Sequence, residues 1–455
     1  MTRVLTRPRA ALALALLLAG GVAATPGGAR AADHADPIDP LRLSEDPMRG
    51  LTGLFVFPVY DGKRAKGGGE KDPGKAQDEK LVMIVCANRL LAKPPPYRGL
   101  DAFEFVINVD SARAVKIDYP KELARPTNAD ERNTARYGGV IDHPETIRPT
   151  FRITMKLKND LVQAFSDGNF ISRKVEVDRG DGLQEVPLST VTKWGAGVRD
   201  DPFIFPAFFG TNVIAMAVEV PYSAFAGAGG TDQLIVWTTQ SRNGVQIDHI
   251  GRAQRTQLPR FDLLNTIPPS EHVKAIREAR ESPGVLTDTL RFLFPAEFNF
   301  RQFDDQPDVT VFTRRHPPGF PNGRRLEDDV ARLTCEQGDC QLYELSFARP
   351  RSPEAERYAK YEAGRPTAND RPFLDVWPYL AEAQENPDPA PMVELTTRTK
   401  VIFVTIALTV LAVFLFPWVL LYRSKRQLRR LRQAVTLAVA PPTPPAPGAP
   451  GGASS

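Results

Sequence analysis

The chain has little of what marks the common extracytoplasmic chemistries. Three cysteines in 455 residues exclude a disulfide-dense scaffold, and no C-x-x-C-H offers a covalent haem attachment. Five histidines, His34, His143, His249, His272 and His316, lie far apart, with no H-E-x-x-H spacing for zinc. No G-x-S-x-G is present for a serine hydrolase of that type. Gly69 to Lys75 imitates a phosphate loop, but Ala76 stands where a magnesium-holding hydroxyl is needed and Pro73 removes an amide donor. No repeat of fixed period runs through the sequence.

Both ends, by contrast, are strongly marked. Arg3, Arg7 and Arg9 precede a run of Ala, Leu, Gly and Val from Ala10 to Ala24, and Ala29-Arg30-Ala31 supplies small residues for a cut after Ala31. A basic start, a short apolar run and a small-residue exit are the parts of a secretory signal. The run is shorter than the roughly 20 residues that span a bilayer. Val401 to Tyr422 carries no charge and is long enough, with Lys400 at one edge and Trp418 and Tyr422 at the other. Arg423, Lys425, Arg426, Arg429, Arg430 and Arg432 follow with no acid among them, which places that side in the cytoplasm by the positive-inside rule.

The expected organisation is therefore a signal peptide at 1–31, an extracytoplasmic domain at 32–385, a stalk at 386–399, a transmembrane helix at 400–422 and a basic cytoplasmic tail at 423–455. Pro387, Pro389 and Pro391 stiffen the stalk. The final Pro, Gly, Ala and Ser string cannot bury enough to fold. Removing the four bases of the signal and the six of the tail from the total leaves 48 bases against 54 acids. The outer domain is thus acidic, which argues against a nucleic-acid partner. The tail's cations meet anionic lipid, at roughly 1 kcal/mol each. Such a chain sits in a bacterial cell membrane as a single-pass protein with a periplasmic body.

Within the body, Leu54–Val59, Lys80–Ala87, Ala102–Val109, Ala114–Asp118, Thr150–Lys156, Ile171–Val177, Asn212–Val220 and Gln233–Thr239 have strand character. Phe103, Phe105, Ile107 and Val109 alternate with other residues, as do Phe151, Ile153, Met155 and Leu157, the period of a sheet with one buried face. No long helical pattern separates these runs, so the fold class is mainly β, an antiparallel β-sandwich core at about 50–264. A helical, loop-rich part at about 265–385 follows. Its helices are expected over Glu271–Arg280, Leu286–Leu293, Arg324–Leu333, Pro353–Ala363 and Phe373–Ala383.

Several stretches resemble the family known as domain of unknown function 4331. They are Ala32-Asp-His-Ala-Asp-Pro37, Gly197-Val-Arg-Asp-Asp-Pro-Phe203, Gln246 to Arg252, Gly319-Phe-Pro-Asn-Gly-Arg-Arg325 with its continuation to Val330, and Pro372-Phe-Leu-Asp-Val-Trp-Pro-Tyr-Leu-Ala381. They fall in the family's order and cover roughly 33 to 387. The resemblance implies no established activity. Gly50 and Gly53 stand where the family usually has aspartates, which reduces any cation-binding capacity implied by relatives, and the membrane helix is an addition to the family pattern.

Two polar constellations are the candidate ligand or cation sites. Asp200 and Asp201 follow Arg199 and precede Pro202 and an aromatic group, and Asn322, Arg324, Asp328 and Asp329 form a second cluster ahead of a helix. Their oxygens suit Ca²⁺, which takes six to eight oxygen ligands; bonds across turns are the structural alternative. The expectation is that one of the two aspartates approaches the second cluster. Cys335 and Cys340 enclose Glu-Gln-Gly-Asp and pair as a disulfide in an oxidising compartment, while Cys86 is a buried thiol. The favoured function is a membrane-anchored extracytoplasmic binding or scaffold protein of unknown ligand. Against it stand an extracytoplasmic hydrolase using the Asp200–Asp201 pair and a noncovalent haem or redox sandwich.

Overall fold

The computed structural model describes residues 50–64, 79–88, 91, 95–111, 141–161, 164–205, 208–228, 233–253, 263–281, 305–336, 367–387, 415–417 and 420–431. The signal segment, His34 and Asp36, the strand expected at Ala114–Asp118, the helices expected at Leu286–Leu293 and Pro353–Ala363, and Cys340 lie outside them. Of Lys400–Tyr422 only 415–417 and 420–422 are described, as helix. Among the described residues no helix is long and apolar enough to cross a membrane.

Among the described residues twelve strands run in chain order: β1 (Leu51–Tyr60), β2 (Lys63–Arg64), β3 (Glu79–Ala87), β4 (Phe103–Asp110), β5 (Phe151–Leu157), β6 (Phe170–Asp178), β7 (Leu183–Val186), β8 (Lys193–Asp200), β9 (Asn212–Pro221), β10 (Gln233–Arg242), β11 (Val245–Ile250) and β12 (Thr310–Thr313). Two helices follow β11, α1 (Pro269–Glu281) and, after β12, α2 (Val330–Glu336). All the strand pairings are antiparallel. One sheet has the order β2-β1-β3-β9-β8; the other runs β11-β10-β4-β5-β6-β7, with β12 also on β10. This is a mainly β architecture consistent with a sandwich, since one apolar cluster draws side chains from both sheets. It joins Leu54, Met83, Val85, Met216 and Val218 to Phe105, Ile107, Phe151, Ile153 and Val236.

The two sheets differ in burial. Along β5, Phe151, Ile153, Met155 and Leu157 are buried while Arg152, Thr154 and Lys156 are half-exposed. Along β1, β3 and β9 nearly every residue is buried. The second face of the five-stranded sheet presents Phe55, Phe57, Val82, Ile84, Val213, Ala215 and Ala217 to Leu326, Tyr379 and Leu380. Chain from far along the sequence therefore roofs this sheet.

Two hairpin turns explain strands that periodicity does not announce. Asp61-Gly62 (φ 51° and 72°) joins β1 to β2, and Asn243-Gly244 (φ 53° and 76°) joins β10 to β11. Positive φ at both central positions is the two-residue turn that matches strand twist. The chain after Asp61-Gly62 thus turns back at once into β2, which is too short and too polar to show an apolar pattern.

Two helix expectations are corrected. Residues 324–329 are not helical, because Arg324 exchanges both backbone bonds with Val56 of β1, at 2.8 and 3.0 Å. The helix starts only at Val330, where Asp329 accepts the backbone N–H of Arg332 at 3.2 Å, the bond of an N-cap. Phe373–Ala383 forms no helix either. Pro378 lacks the N–H and disfavours helical backbone at Trp377, and Tyr379 sits at φ 70°. The expected helix at Glu271–Arg280 is present within α1.

Candidate functional site

The stretch around Gly323 is built for close approach. Gly323 has φ +70°, and a Cβ there would stand 2.3 Å from the carbonyl oxygen of Val56, so only glycine fits. Beside it, Asn322 accepts the backbone N–H of Thr313 at 2.8 Å and donates to the carbonyls of Thr313, His316 and Pro317, each at 3.0 Å. Asp328 accepts the backbone N–H groups of Phe320 (2.8 Å) and Arg325 (2.7 Å) and pairs with the Arg325 guanidinium. These oxygens hold the turn together.

Arg324 is buried, with its guanidinium 4.2 Å from the ring of Phe55 and 5.5 Å from that of Phe203. Burial pulls its pKa down to about 9, opposed by the charges of Asp328 and Asp329, and leaves it charged at neutral pH. Through this cation the 320s meet the segment after β8. Phe203 stacks in turn on Phe205, with ring centroids 5.5 Å apart. Asp201 accepts the backbone N–H of Phe203 at 3.1 Å, an Asx turn.

Asp200 ends β8, with Asn212 of β9 opposite it. Its side chain turns to the strap formed by 367–387. Asn369 donates to one of its oxygens and Gln384 to the other, each at 2.6 Å. Gln384 also reaches Asp370 at 3.3 Å, and Asp370 accepts the backbone N–H of Gly210 at 2.6 Å. Gln384 and Asn212 exchange two more bonds, at 2.8 and 3.0 Å. Arg199 pairs with Glu382 at 2.8 Å. Burial, and then the charge of Asp370, push the Asp200 pKa up to about 8; the Asn369 and Gln384 bonds pull the other way, and Asp201 adds to the rise. Asp370 is raised as well, burial leading, with Asp201 adding and the Gly210 bond and Arg371 opposing.

A second buried carboxylate holds the same strap and behaves oppositely. Glu219 of β9 is fully buried, yet Lys193 (3.0 Å), Lys80 (3.2 Å) and the hydroxyl of Tyr379 (2.9 Å) all reach it. Burial raises its pKa, but the hydrogen bonds from Lys193, Tyr379 and Lys80 outweigh that and the net shift is downward. The sequence expectation missed Asn369, Asp370, Gln384, Glu219 and Tyr379. A polar Asn-Asp pair just before Pro372, and a lone Glu inside the apolar run of β9, were the available signals.

Elsewhere, His249 and His272 lie buried with ring centroids 4.8 Å apart. They bond to the main chain of Asp308, at 2.7 and 3.0 Å. Among the described residues no group of three or more His, Cys, Asp and Glu side chains is placed to hold a metal ion. Cys86 is buried on the roofed face of the five-stranded sheet, and Cys335 falls within α2.

Comparison with protein-family models, with curated proteins and with solved structures finds no match for this chain.

Proposed function

We propose that this chain is a membrane-anchored extracytoplasmic binding or scaffold protein, a β-sandwich carried outside the membrane by a stalk and one C-terminal helix. The support for the topology is in the sequence: an exit signal, an uncharged run at Val401–Tyr422 and six bases directly after it. The observation that carries the scaffold reading is the use made of the polar side chains. Asn322 and Asp328 bond within their own turn, Asp329 caps α2, and both oxygens of Asp200 accept amide protons from the strap. A reporter active only in the cytoplasm should work when fused after Arg432 and be silent when fused near Pro391. The reverse pattern overturns the topology.

One observation favours a second reading. Asp200 has the raised pKa that a general acid needs at neutral pH, so an extracytoplasmic hydrolase would be built around it. On that reading Asp200→Asn abolishes turnover and leaves the fold intact, whereas on the scaffold reading no turnover is there to lose.

A further inference from the structure

The strap 367–387 meets the sheet at two kinds of anchor. Its middle is apolar and ionic: Tyr379 and Leu380 pack into the roofed face, and the Tyr379 hydroxyl reaches Glu219. Its two limbs, around Asn369–Asp370 and Glu382–Gln384, are held by side-chain bonds to Asp200, Asn212, Gly210 and Arg199.

The limb anchor is short of donors. Asp200 and Asp370 share the Gln384 amide, at 2.6 and 3.3 Å, and the charge of Asp201 raises the proton affinity of both. Asn369 Oδ1 and Asp370 Oδ1 are buried and find no hydrogen-bond donor among the described residues. A proton on a carboxyl of this cluster is both the donor those acceptors lack and the neutralising charge. The charge of Arg371 offsets only part of the rise at Asp370. The Arg371 guanidinium is turned to the carbonyls of Glu382 and Ala383, at 2.9 and 2.6 Å. Arg199 is paired with Glu382, and Arg324 stands beyond the ring of Phe203.

We propose that the limbs of the strap are held down by a proton shared within the Asp200–Asp370 cluster, and that they lift as the pH rises while the Tyr379 anchor stays in place. The sign follows from linkage. When the limbs lift, the carboxyls return to water and to the ordinary range near 4. Between that value and about 8 for Asp200, the docked form holds a proton that the lifted form has lost. Docking is therefore full below the ordinary range and weakens by about tenfold per pH unit across the window. Glu219 has the opposite sign, because its lowered pKa makes the Tyr379 anchor weaken only on acidification. The strap thus has limbs sensitive to base and a centre sensitive to acid. The inference stands on contacts within the outer domain and does not depend on which side of the membrane that domain occupies.

Hydrogen exchange of the full chain in detergent micelles, followed by mass spectrometry from pH 5 to pH 8 and corrected for intrinsic rates, tests it. The amides of Gly210 and Gln384, which bond Asp370 and Asn212, should lose protection by about tenfold per pH unit. Peptides of β4 and β5 should not change. Asn at position 200 mimics the protonated acid, so Asp200→Asn should reduce the pH dependence of both amides, the buried Asp370 keeping a part of it. Constant protection in the unaltered chain, or the same loss in the variant, overturns the proposal. If Asp200→Asn also loses protection in β4 and β5, Asp370→Asn decides. It leaves one carboxylate fewer in the cluster and must shrink the pH effect; an unchanged slope counts against the shared proton.

Discussion

The two sheets use the same strand chemistry and end in different conditions. The seven-stranded sheet keeps much of one face open, so that β5 and β6 carry Arg152, Lys156, Ser172, Lys174 and Glu176 outward. The five-stranded sheet has no such face over β1, β3 and β9, because residues 320–330 and the strap cover it. Where a face meets water, polar residues are tolerated for their solubility alone. Where both faces are covered, each polar group must find a partner inside, since leaving one unpaired costs about 1–3 kcal/mol or more. That is why Glu219, Asp200, Asn322 and Arg324 all cluster around the roofed sheet with defined partners.

The contrast is sharpest between a position under the roof and one open to water. Ala215 of β9 faces the roof, and Ala215→Asp would bury an unpartnered charge; we expect a loss above about 4 kcal/mol and no folded protein in a denaturant titration. A smaller loss belongs to Asn322→Ala, which removes four bonds to main-chain groups, two of them buried. At about 1 kcal/mol per bond it should lower stability by about 3 kcal/mol, partly offset by relaxation of the turn. The smallest effect is at Ile171, about half exposed on β6 (52%): Ile171→Ser should change stability by less than about 0.5 kcal/mol. Equal losses at Ala215 and Ile171 would show that the roof does not seal the sheet.

Legibility from sequence follows the same division. β4 and β5 are readable from the alternation of Phe103 to Val109 and Phe151 to Leu157, although only in β5 is the other face half-exposed throughout. The doubly buried β1, β3 and β9 were readable only as apolar runs, which fix a strand's existence and not its cover. β2 and β11 were missed because their signal lies in Asp61-Gly62 and Asn243-Gly244 and not in their short, mixed sequences. β8 was missed because Gly195, Ala196 and Gly197 give a weak strand pattern; Phe165 packs so closely that a Cβ at Gly195 would stand 2.2 Å from its ring. At the site, sequence picked out Asp200 and the polar residues of 322–329. It could not show that Asp200 bonds to Asn369 and Gln384, because nothing local links residues so far apart in the chain. The roof over the sheet was read as helix from the apolar residues of Phe373–Ala383, although Pro378 opposes that reading.

Asp200 and its neighbours hold chain segments together through hydrogen bonds to the strap. That role is tested most directly by thermal unfolding of the unaltered chain and of Asp200→Asn at pH 6, each with calcium in excess and with chelator. The account predicts the same unfolding temperature in calcium and in chelator for both proteins. It is contradicted if calcium stabilises the unaltered chain, by about 2.7 kcal/mol at a hundredfold excess over its dissociation constant, and if Asp200→Asn abolishes that gain.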